Sequence, residues 1–147
     1  MISIAEFCEL HDACEAGRDW ALANCKTMQD VWATARPEWL VWVTTRQGVS
    51  DDRTLRLFGV FCARSVEHLL TDQRSRDAID VAERFAKGEA TAEELSAAWS
   101  AARAAAWSAA SDAAWAAAWA AASDAAWDLQ ATWLRENCLP NFLTGGE

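Results

Sequence analysis

Apolar residues recur at three- and four-residue intervals along this chain and nowhere alternate regularly with polar ones, so the pattern predicts helices rather than strands. Leu55, Phe58, Cys62, Val66, Leu69 and Leu70 form one such stripe, with Arg53, Arg56, Arg64 and Glu67 on other faces, as in an amphipathic helix with one buried side. Beyond a break at Thr71-Asp72 the pattern resumes in Ala78, Ile79, Ala82 and Phe85. It runs to Gly88, which reads as a left-handed C-terminal cap. Two helix starts carry the spacing of a capping box: Ser3 with Glu6, ahead of Phe7, Leu10 and Cys14, and Thr91 with Glu94, ahead of Leu95. Pro37 suits the first turn of a helix carrying Trp39, Leu40, Trp42 and Val43, with Gly48 placed to end it and Ser50 or Asp51 to cap the next. The expected fold is all-α, a compact bundle of about six helices in a single domain. Short helices occupy residues 1–48, an amphipathic pair 50–88, and an Ala/Trp-rich helix or helical hairpin 91–138.

The last segment has a pattern of its own. From Ala97 to Trp127, 19 of 31 residues are Ala and five are Trp, which makes helix the expected state. Trp99, Trp107, Trp115, Trp119 and Trp127 are separated by multiples of four residues. Four residues turn an ideal helix through about 400°, so each step drifts by roughly 40° and the indoles wind around the cylinder. One neighbour covers a stripe of roughly 100°, too narrow for all five. A single rod from Ala92 to Arg135 would also be about 66 Å long, more than a domain of this size spans. A break at Ser111-Asp112 or Ser123-Asp124 is therefore expected, both being good N-cap pairs. The alternative is a central helix surrounded by the others. In a hairpin each Trp would fill the space beside a neighbour's Ala; the competing readings are an exposed Trp ladder and a poorly ordered tail.

Composition narrows the function. The chain has 147 residues, 52% hydrophobic, with 13 Lys and Arg against 22 Asp and Glu, a net charge of −9. That length supports a core without metals or disulfides. The acid excess argues against a general nucleic-acid binder, which needs clustered cations to displace counterions, and favours a basic partner. Residues 1–40 hold seven acids and three bases, 41–90 eight of each, and 91–147 seven acids and two bases, so the negative charge sits at the two ends of the chain. Five cysteines with no Cys-x-x-Cys pair read as reduced thiols in a cytoplasm. The N-terminus has neither the basic nor the apolar region of a signal peptide, and the charge-free run from Ala113 to Ala122 is too short to span a bilayer.

Candidate chemistry is sparse. Cys8, His11 and Cys14 have the identities of zinc ligands, but on a helix their spacing spreads them apart and the fourth ligand would have to be Cys25 or come from afar; core thiols beside a surface His are the plainer reading. Cys62 and His68 fall on different faces of a helix, with no orienting carboxylate. Asp51-Asp52 and Asp112, Asp124 and Asp128 could pair for acid–base work or Mg²⁺, but at helix starts Asp is commonly a cap. Arg64, Arg74, Arg76 and Arg84 are matched locally by Asp72, Asp77, Asp80 and Glu83, which predicts a salt-bridged, solvated face. No phosphate loop, nucleophile elbow or metalloprotease motif occurs, so no catalytic residue, cofactor or metal is expected.

The stretch from Ser50-Asp51-Asp52-Arg53 to Phe58, then Cys62-Ala63-Arg64-Ser65-Val66-Glu67-His68 to Arg76, then Ala82-Glu83-Arg84-Phe85 to Ala90, resembles small Ala-rich bacterial and phage proteins of the immunity protein 5-like kind. The likeness covers about residues 37 to 140, including Trp133-Leu134-Arg135-Glu136-Asn137 and Pro140-Asn141-Phe142. It implies an all-helical, non-enzymatic protein that neutralises a toxin by binding it. The resulting expectation is stoichiometric binding of a basic toxin or defence protein by an acidic face. Asp112, Asp124 and Asp128 would lie there beside protruding rings of Trp107 and Trp119. The alternatives are a phage anti-defence protein that blocks a host immune protein or sequesters a small signalling ligand in a Trp-lined pocket, and a structural module that self-associates through its Ala/Trp face.

Overall fold

The computed structural model describes residues 1–108 and 123–142. Among them the chain is all-α, with eight α-helices and no strand: α1 Ile4–Leu10, α2 Glu15–Asn24, α3 Met28–Thr34, α4 Pro37–Thr44, α5 Asp52–Val66, α6 Gln73–Ala86, α7 Ala92–Ser108 and α8 Asp124–Asn137. A short 3₁₀ turn, Glu67–Leu69, follows α5. The count exceeds the expected six because the N-terminal region holds four helices of seven to ten residues, too short for periodicity alone to separate. The chain forms two compact units, one of residues 1–51 with 130–142 and one of residues 52–129, the latter described over 52–108 and 123–129.

In the first unit, local chemistry sets each helix boundary. Ser3 and Glu6 close a reciprocal capping box on α1. Asp12, at φ 51°, turns the chain between α1 and α2, so Cys8 and Cys14 lie on different helices rather than on one. Thr27 and Asp30 make a second box on α3, and Pro37 occupies the first turn of α4. The core is built from Phe7, Met28, Val31, Trp32, Leu40, Val43, Leu134 and Phe142, all buried. Phe142 packs edge-on to Phe7 at 6.0 Å and to Trp32 at 6.3 Å. Backbone bonds tie the N-terminal and C-terminal segments of this unit into it: Ile2 donates to the Phe142 carbonyl at 2.9 Å and Asn141 to that of Val49 at 2.8 Å. Arg135 on α8 donates to the Ala35 and Trp32 carbonyls at 2.6 and 3.2 Å. It thereby satisfies acceptors that the C-terminus of α3 would otherwise leave open. α4 ends at Thr44, before Gly48, because the chain makes a further turn there; Gly48 takes φ +80° and Val49 donates to the Arg46 carbonyl at 3.2 Å.

In the second unit α6 packs against both α5 and α7. Asp72 caps α6 by accepting from the Arg74 amide at 2.9 Å. Its other end closes as expected at Gly88: with φ +80° there, Gly88 donates to Phe85 at 3.0 Å and Glu89 to Arg84 at 2.7 Å, a Schellman motif. The chain then reverses into α7 through the Thr91–Glu94 capping box. The arginine face is salt-bridged as its charges imply. Arg64 meets Asp80 at 2.7 Å, Glu83 at 2.6 Å and Glu67 at 3.0 Å, while Arg74 meets Asp72 at 2.8 Å. A new helix begins at the expected Ser123-Asp124 break, where Ser123 Oγ accepts from the Ala126 amide at 3.2 Å. The other expected break, Ser111-Asp112, lies outside the described residues.

Candidate functional site

The second unit carries an open groove. It has a volume of about 500 Å³ and is lined by Arg56, Gly59, Val60 and Ala63 of α5, Ala78, Ile79, Ala82 and Phe85 of α6, and Leu95 and Trp99 of α7. The chain's local order explains this hollow. α6 makes the contacts to both neighbours, and on the groove side α5 and α6 present Gly or Ala at positions 59, 63, 78 and 82. Small side chains there leave volume that Val, Leu or Phe would have filled. A shallower cavity of about 300 Å³ continues past Trp99, bounded by Ala78, Ala102 and Arg103.

Trp99 is the side chain most at odds with the sequence expectation. It is 61% exposed rather than packed into alanines. Its ring borders both cavities. At the opposite end of the larger one, Arg56 holds its guanidinium 5.1 Å from the Phe85 ring centre and lies 3.6 Å from Asp52. Arg103 forms no ion pair among the described residues. Among the described residues neither cavity is lined by an acid, although the chain as a whole is strongly negative.

The expected partner-binding residues divide into two groups. Asp124 and Asp128 are exposed one turn apart at the start of α8, where carboxylates also complement the helix dipole. Trp107, Asp112 and Trp119 lie outside the residues whose side chains are described. Sequence reasoning placed Ala78, Ile79, Ala82 and Phe85 on a buried stripe and did not pick out Gly59, Val60 and Ala63. Their i, i+1, i+4 spacing on α5 was the available signal for a second apolar face.

The other candidates resolve into structural roles. Cys8 is buried, and burial raises its thiol pKa; His11 packs at a tilt against Phe7, ring centres 4.5 Å apart, and burial together with Arg46 lowers its pKa; Cys14 precedes α2 and is exposed. No cluster of three or more His, Cys, Asp or Glu among the described residues is arranged to hold a metal ion. Burial pushes the Cys62 thiol up to about 11, which keeps it protonated and a weak nucleophile at neutral pH. Cys138 is raised by burial too, and its Sγ lies 3.0 Å from Ser50 Oγ. No described helix is long and apolar enough to cross a membrane. No protein-family model, curated protein or solved structure matches the chain.

Proposed function

We propose that this protein acts by stoichiometric binding of a protein partner, without catalysis, in the manner of an immunity protein that neutralises a toxin. The observation that carries the reading is the apolar groove of α5, α6 and α7 with Trp99 standing exposed at its edge. An exposed indole over an apolar trough is the kind of surface from which interfaces draw most of their energy. Arg56 is the one charged group among the described lining residues, which do not offer the several convergent polar groups that would orient a nucleotide or another polar small molecule. The net charge of −9 speeds encounter with a partner of overall basic surface, and Asp124 and Asp128 belong to that exposed acidity.

The reading is tested by co-expressing the chain with each protein encoded by a neighbouring gene, a toxin domain being expected among them, and by native mass spectrometry of the purified pair. Growth rescue and a one-to-one complex are expected. Trp99→Ala and Ala63→Glu, the second placing a charge in the groove, should weaken both while circular dichroism stays unchanged. Full rescue by both variants, or no complex with the wild-type chain, would contradict it.

A further inference from the structure

We propose that the groove takes an amphipathic α-helix of the partner protein. This helix presents its apolar face to Trp99 and the small-residue floor, and two carboxylates, about two turns apart, to Arg56 and Arg103. The assignment rests on the protein-binding reading and names the occupant of that same site.

The charges argue for it. Arg56 stands at the end of the groove nearest Phe85 and Leu95, and Arg103 lies beyond Trp99 at the other. From Leu95 to Arg103 the α7 axis rises about 12 Å, which an incoming helix covers in about eight residues. In a chain with nine more acids than bases, the described lining of the groove holds one cation, that of the adjoining cavity another, and neither holds an acid among the described residues, a local reversal of sign. Both cations are available. Arg103 has no acid partner among the described residues, and the Arg56 contact to Asp52 is a 3.6 Å approach to an exposed carboxylate. Complementarity across an interface selects an occupant with anionic flanks.

The shape argues for a helix. Gly59, Ala63, Ala78 and Ala82 let a rod's side chains interdigitate at close approach. A single-headed amphiphile such as a fatty acid could fill the trough, yet it has one anion for two cations at opposite ends.

The full chain labelled with 5-fluorotryptophan supplies the test, the Trp99 fluorine resonance being assigned with Trp99→Phe. Three helical peptides with one Leu/Ala face, carrying Glu, Gln or Lys at the two flanking positions, are titrated in turn. The Glu peptide should shift the Trp99 resonance at about tenfold lower concentration than the Gln peptide, and the Lys peptide should bind weakest. In the Arg56→Glu, Arg103→Glu double variant the order should invert, which a merely unfolded protein would not show. Equal affinity for the three peptides, no inversion, a decanoate response matching the Glu peptide, or a shift on raising protein concentration alone would overturn the assignment. Should the toxin complex form and survive the double variant while the peptides fail, only the occupant is wrong. Should the Glu peptide bind with inversion and no toxin complex form, the groove's chemistry stands and the toxin reading falls.

Discussion

The two units use aromatic side chains in opposite ways. In the first, Phe7, Trp32 and Phe142 interlock, Trp20 leans on Trp39 at 5.3 Å, and Arg36 and Arg46 cover the outer faces of Trp39 and Trp42 at 4.0 and 4.8 Å. In the second, Phe58 is buried but Trp99 stands in solvent above a trough of alanines. The difference follows from partner size. Trp39 and Trp42 meet large or cationic side chains, whereas Trp99 borders a groove in which Gly59, Ala63, Ala78 and Ala82 leave space between the larger residues. Apolar surface that a domain leaves uncovered is where a second molecule can gain most.

The contrast predicts a hierarchy of effects. Leu134→Ala, at a fully buried position of the first unit, should lower unfolding free energy by about 2–5 kcal/mol, whereas Trp99→Ala should change it by less than about 1 kcal/mol. Urea titration of the two variants decides this, and equal losses would erase the distinction between closed and open units. Next in size is Arg135→Met, which keeps the stem but removes both donors to the end of α3. A loss of about 1.5–3 kcal/mol is expected, with faster amide exchange in α3 than in α6. Thr27→Ala should cost about 1 kcal/mol in the first unit and Thr91→Ala a similar amount in the second, since each removes one half of a reciprocal box.

The smallest effect is on pH dependence. Lys87 first, and then Arg64, hold the Glu83 carboxyl below the ordinary carboxylate range. A carboxyl whose pKa is depressed by folding contributes stability above its unfolded pKa and loses it as the pH falls through the lowered folded value. Hydrogen bonds from Ser3 to Glu6, from the Lys26 amide to Asp30, from Arg74 to Asp72 and from the Thr91 amide to Glu94 act in the same direction in both units. The urea midpoint should therefore fall below the usual carboxylate range, and Glu83→Gln should flatten that dependence in part. An acid limb identical to wild type would remove Glu83 from the account.

How far the sequence carried differs between the units in the same physical terms. Ser3 with Glu6, Thr91 with Glu94, Pro37 and Gly88 were legible because each acts through its own backbone within a few residues. Thr27 with Asp30 is an equally good box that escaped notice, its N3 acid being Asp instead of the Glu or Gln usual there. The separation of α1 from α2 depends on Asp12 at φ 51°, a conformation no hydrophobic period announces. The groove was illegible for another reason. An alanine reads as helix former wherever it stands, and whether it meets a large neighbour or an empty trough depends on which helix lies opposite. Trp99 was accordingly expected among alanines and is found outside them.

Hydroxyl-radical footprinting of tryptophan, read residue by residue by mass spectrometry in the free protein and in the presence of the proposed protein partner, addresses the proposed docking groove most directly. Trp99 should oxidise readily in the free chain while Trp32 stays protected, and saturation with the partner should protect Trp99 as well. A Trp99 already protected in the free monomer, or one still reactive in the saturated complex, would contradict the account.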